Sequence, residues 1–73
     1  MLNKNLLLSH MAKRGDTGII LSNLMNMSQQ TFSAKLNEKD GKEFNKTEIN
    51  FFINRYDLNP DEVFAIFFTS KVS

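Results

Sequence analysis

Cysteine is absent from this chain, which removes disulfide bridges and thiolate metal sites together. Histidine occurs once, at His10, so there is no second imidazole to complete a metal pair. The three glycines stand at 15, 18 and 41, and Gly15 with Gly18 does not make a phosphate-cradling loop. No nucleophile motif is present either. No enzyme, metal site or cofactor is expected, and His10 reads as a surface or helix-face residue. Near the start, the longest unbroken apolar run is Leu6-Leu7-Leu8, too short for a signal peptide or a membrane span. No internal repeat, low-complexity tract, linker or useful strand pattern is visible.

What remains is a chain of 73 residues, enough for one domain over 1–73 and no more. Hydrophobic residues make up 41% of it and phenylalanine alone contributes seven, which suits a compact fold rather than a disordered segment. A chain this short buries a core only marginally, so a partner chain is a natural source of added stability.

The net charge of +1 argues for nothing by itself, but it is unevenly placed. Residues 1–46 carry seven cations (Lys4, Lys13, Arg14, Lys35, Lys39, Lys42, Lys46) against four carboxylates, and residues 47–73 carry two against four. A polarised domain of this kind can turn its basic face to phosphate; ordinary surface scatter is the competing reading.

Apolar spacing is helical throughout. Leu2, Leu6, Leu7 and Met11 fall on one stripe, predicting a helix over about 2–13 that Gly15 ends by taking positive φ. Thr17 caps a second helix, about 17–25, whose apolar face is Ile20, Leu21, Leu24 and Met25. Asn26, of a type that tolerates the left-handed conformation, stops it. Ser28 caps a third helix, about 28–37, with Phe32 and Leu36 facing in; only about three residues separate it from the second. Residues 37–45 read as an exposed polar loop around Gly41, with Phe44 folding back into the core. Asn45 with Glu48 predicts a capping box for a helix over about 46–57, with Ile49, Phe52, Ile53 and Tyr56 inward. Asn59-Pro60-Asp61-Glu62 combines a cap, a proline and two acids, and opens a last helix over about 60–69 that carries Val63, Phe64, Phe67 and Phe68.

The stretch from Thr17 to Leu36 (TGIILSNLMNMSQQTFSAKL) resembles the helix-turn-helix of the phage repressor and Cro class, the XRE-like family. Leu21-Ser22 supplies the apolar–small pair of the second helix, Asn26 stands at the turn, and Phe32 provides the apolar residue inside the third. Ser28-Gln29-Gln30-Thr31 is similar to the opening of recognition helices in lambdoid phage repressors. Family members usually carry alanine at Ser22, glycine at Asn26 and a polar residue at Gly18. With one flanking helix before and two after, the resemblance covers about residues 2–68 and implies an all-α, five-helix lambda-repressor-like domain.

The resemblance implies a sequence-specific transcriptional regulator, phage- or prophage-related, cytoplasmic in a bacterial cell and nucleoid-associated when bound. Its expected partners are double-stranded operator DNA and a second copy of itself. Gln29, Gln30 and Ser33 lie outward if Phe32 and Leu36 point in, and glutamine offers the paired donor and acceptor that adenine matches in the major groove. Thr17, Ser28, Thr31, Ala34, Lys35, Lys39 and Lys42 are expected to touch backbone or methyl groups, with Lys13, Arg14 and Lys46 as further phosphate contacts. Lys39 and Lys42 alternate with Glu38, Asp40 and Glu43, so a self-paired, solvated loop is the competing reading there. The aromatic set exceeds what one small core hides, so Phe67, Phe68 and Val72 are expected to form a dimer surface. A protein-binding module on the same scaffold, such as an antirepressor or another phage inhibitor, is the rival reading, favoured by Gly18 and by sparse positive charge in the motif.

Overall fold

The computed structural model describes residues 1–68, which form five α-helices and no strand. These are α1 (Lys4–Arg14), α2 (Gly18–Leu24), α3 (Gln29–Leu36), α4 (Lys46–Tyr56) and α5 (Pro60–Phe67), with a 3-10 turn at Lys39–Gly41 between α3 and α4. The expected all-α class and helix count are found, and every boundary falls within two residues of its predicted place. Val72 and the rest of the tail from Thr69 lie outside the described residues. Among the described residues, no helix is long and apolar enough to cross a membrane.

Helix starts are set by side-chain caps. The side chains of Asn3, Thr17 and Ser28 accept from the amides of Leu6, Ile20 and Thr31, satisfying donors that the first turn leaves orphaned. Asn45 with Glu48, and Asn59 with Glu62, close reciprocal capping boxes at α4 and α5. Three helices end on one device. Gly15 (φ 76°), Asn26 (φ 58°) and Asp57 (φ 51°) are left-handed, and the next residue's amide reaches back to Met11, Ser22 and Ile53 carbonyls at 2.8, 2.9 and 3.1 Å. Gly15 and Asn26 were legible as such; Asp57 was not.

The core comprises Leu7, Met11, Leu21, Phe32, Phe44, Phe52, Leu58, Ile66 and Phe67. Phe52 is its centre, fully buried, with the rings of Phe44, Phe51, Phe67 and Tyr56 at 5.1, 5.8, 5.7 and 6.1 Å. Burying one such side chain contributes about 1.5–3 kcal/mol. Phe44 comes back from the loop as expected. The amide of Asn3 donates to the carbonyl of Ile66 at 2.6 Å, joining the entry to α1 to the last turn of α5.

Two predicted apolar faces need correction. On α1 only Leu7 and Met11 are buried, and Leu6 is exposed. Leu2 precedes the helix, so it does not fix the phase of the stripe. On α2, Leu21 and Ser22 are buried, whereas Ile20 and Leu24 are exposed along with Ile19. Seven residues make barely two turns, and α2 turns its Leu21–Ser22 edge inward against α3. The buried hydroxyl of Ser22 is satisfied by donating to the Ile19 carbonyl at 3.0 Å. The expected exposed polar loop after α3 is found, and it is tightly wound, with left-handed backbone at Glu38, Asp40 and Gly41.

Candidate nucleic-acid interface

Four residues, Met25 to Ser28, join α2 to α3. Phe32 anchors α3 in the core and Leu36 is half-buried, which turns Gln29, Gln30, Thr31 and Ser33 to solvent, with Ala34 at the edge. Gln29, Gln30 and Ser33 thus share the exposed side of one helix, as the sequence predicts. No side-chain hydrogen bond among the described residues engages Gln29 or Gln30, so both carboxamides keep their full donor and acceptor capacity.

The rest of this face is organised by local bonds. Ser28 Oγ accepts from the Thr31 amide at 3.0 Å and donates to Thr31 Oγ1 at 2.9 Å. Asn37, which caps the C-terminal end of α3, donates through Nδ2 to the Ser33 carbonyl at 2.9 Å and to Ser33 Oγ at 3.3 Å. Lys4 donates to Asn37 Oδ1, so α1 contributes an ammonium to the far end of the α3 face. Sequence reasoning missed Asn37 and the placement of Lys4. The four-residue spacing from Ser33 was a usable signal for Asn37, but no local signal connects Lys4 to a residue 33 positions away.

Lys35, expected as a phosphate contact, is paired within the chain. Its ammonium is bound by both carboxylate oxygens of Glu48, at 2.9 and 2.8 Å. Lys35 lies one turn beyond Phe32 on the inward side of α3, so the start of α4 claims it. Thr17 is exposed, and its Oγ1 accepts from the Ile20 amide in the α2 cap. Lys39 and Lys42 are exposed and line a groove of about 600 Å³ beside Gln30, Thr31 and Ala34, but Asp40 and Glu43 line the same groove.

Of the expected dimer residues, Phe67 is in the core, stacked on Phe52 at 5.7 Å, because the inward side of α5 carries Ile66 and Phe67. Phe68 is exposed, and its exposed companion is Phe64, with ring centroids 6.4 Å apart. Val72 is outside the described residues.

At the entry to α2, Asp16 binds Arg55 through two bonds of 2.7 Å and accepts from the Tyr56 hydroxyl at 2.7 Å. Arg14 donates to the Arg55 carbonyl at 3.1 Å. The bond from Arg55 holds the Asp16 carboxyl below the usual carboxylate range, against the opposing effect of burial. Burial, reinforced by the bond to Asp16, pushes the Tyr56 hydroxyl above its ordinary range. This cluster ties the entry of α2 to the end of α4. His10 stacks on Tyr56 at 5.9 Å, with Nε2 4.0 Å from Glu62, and completes the packing there.

No family model matches the chain, and no curated protein or solved structure matches it either. The functional reading therefore rests on the chain's own residues.

Proposed function

We propose that the protein is a sequence-specific DNA-binding regulator of the phage repressor and Cro type, with α2, the four-residue turn and α3 acting as a helix-turn-helix. The observation that carries this is the exposed row of Gln29, Gln30 and Ser33 on a helix whose opposite side is anchored by Phe32. A single helix fits the major groove, and side chains at its N-terminal end reach base edges there. The two glutamines arrive with donors and acceptors unspent, which is what bidentate pairing with adenine needs. Asn37 and Lys4 extend the same face toward the C-terminal end of α3.

Positive charge beside α3 is modest once Lys35 is paired with Glu48. Two copies binding together would double the backbone contacts, with recognition helices about 34 Å apart. The exposed Phe64–Phe68 pair offers the surface for that association. In this reading the protein occludes or recruits polymerase and performs no chemistry of its own.

A second reading has specific support. Ile19, Ile20 and Leu24 are exposed on α2, and Asp40 and Glu43 flank the groove beside α3. Apolar and acidic groups there favour a protein partner, as in an antirepressor. The deciding experiment is selection of duplex DNA from a random pool, followed by titration across salt. Enrichment of a common sequence, with affinity falling as salt rises, supports the regulator. No binding even at about 50 mM salt leaves the protein-binding module.

A further inference from the structure

We infer that Lys35 acts as a positioning residue: its ion pair with Glu48 sets the angle at which α3 presents Gln29, Gln30 and Ser33. The inference rests on the DNA-reading proposal for its functional consequence, but on geometry alone for its mechanical part.

Glu48 does two jobs at once. Its Oε1 accepts from the Asn45 amide at 2.9 Å, closing the capping box of α4, and from Lys35 Nζ at 2.9 Å. Its Oε2 takes Lys35 Nζ at 2.8 Å. The carboxylate is already fixed by the cap, so it has no freedom to follow Lys35; the lysine must come to it. The side chains are only 20% and 14% exposed, which sets this pair apart from the solvated ion pairs that contribute little. A bond of this kind constrains both ends of a long side chain and so constrains the last turn of α3 relative to the first turn of α4.

Elsewhere α3 is held by apolar packing: Phe32 is buried in the core, Leu36 packs against it, and α3 lies against α2. The segment that leaves it turns through left-handed backbone at Glu38, Asp40 and Gly41. Rotation of α3 about the Phe32 anchor would move Gln30 and Ser33 along the groove, and recognition requires side chains held within about 0.5 Å of the productive geometry. Lys35–Glu48 is the polar contact from α3 to α4 that opposes such rotation.

The two roles open to Lys35 make opposite predictions. A phosphate ligand contributes affinity on every sequence and one unit of salt dependence; a positioning residue contributes discrimination and no salt dependence. Two variants isolate the pair. Lys35→Met keeps the aliphatic stem, and Glu48→Gln keeps an acceptor for the Asn45 amide while removing the charge. Duplexes enriched on the wild-type chain and unselected random duplexes serve as probes. Both variants are expected to lose about tenfold in preference for the enriched duplex over unselected duplexes, the scale of one good base contact, while unselected binding follows the local charge, slightly weaker in Lys35→Met and slightly stronger in Glu48→Gln. Lys35→Arg is expected to restore the preference. Residual dipolar couplings of the α3 amides relative to α4, measured without DNA, are expected to shift in Lys35→Met and not in Lys35→Arg.

Equal loss on both probes with a salt slope shallower by about one would make Lys35 a phosphate ligand and overturn the inference. Unchanged couplings in Lys35→Met would overturn it whatever the DNA results. Failure of the wild type to enrich any duplex would instead sink the DNA reading, while the couplings still decide whether the pair sets the angle of α3.

Discussion

Asp16 and Arg55 stand 39 positions apart in the chain and meet side-on, with both nitrogen–oxygen distances at 2.7 Å. The Asp16 side chain is almost fully enclosed, while Arg55 keeps about a quarter of its surface in water. That asymmetry decides what each substitution does. Asp16→Ala leaves an arginine that can still turn toward solvent, so no buried charge is stranded and the cost is expected to be that of the lost charge-assisted hydrogen bonds, about 1.5–3 kcal/mol. Urea unfolding of Asp16→Ala against wild type measures it, and a loss under about 1 kcal/mol would show the pair to be idle.

The same pair makes stability depend on acid. The folded Asp16 carboxyl is held below its unfolded value, so the contribution is present above about pH 4 and is lost as pH falls through the folded value. Unfolding free energy measured downward from pH 5 is expected to fall more steeply in wild type than in Asp16→Asn. Parallel curves would mean that other carboxylates dominate acid unfolding.

Reading of bases by α3 makes a separable prediction. Gln29→Ala with Gln30→Ala is expected to abolish preference for the selected duplex, each lost bidentate pair costing about 1–3 kcal/mol, while binding to unselected DNA survives. Competition titrations report the ratio directly. A uniform loss across all sequences would contradict base reading at these positions.

Self-association should depend on the outer ring pair and not on its buried neighbour. Phe64→Ser is expected to shift sedimentation toward monomer while the helical signal is kept, since Phe64 is the most exposed large apolar residue described. Phe67→Ser should instead lower the melting temperature, because it removes a ring stacked on Phe52 and places a hydroxyl in the core. A wild type that stays monomeric at high concentration removes the dimer from the proposal.

Much of the fold was legible because its signals are short-range. The caps at Thr17, Ser28, Asn45 and Asn59 each depend on a side chain and an amide three residues away. Asn26 was readable at the turn because few residues adopt φ 58° at low cost. The outward row of α3 follows from Phe32 and Leu36 pointing in. What escaped was long-range. Lys35 reads as a free cation until Glu48 arrives from another helix, and nothing local to Asp16 signals that Arg55 and Tyr56 close on it. Leu6, Ile20 and Leu24 were misassigned because apolar residues on short helices fit more than one inward phase, and only tertiary packing selects among them. Phe67 was placed at a surface on aromatic abundance, a count that carries no direction.

Tyr56 is the one tyrosine of a chain without tryptophan, and its hydroxyl donates to the Asp16 carboxylate. Intrinsic fluorescence therefore comes from Tyr56 alone, and its intensity is expected to change when the bond to Asp16 opens. The domain therefore reports optically, without a label, on the joint between the entry of α2 and the end of α4. Unfolding by urea or acid can be followed at that joint.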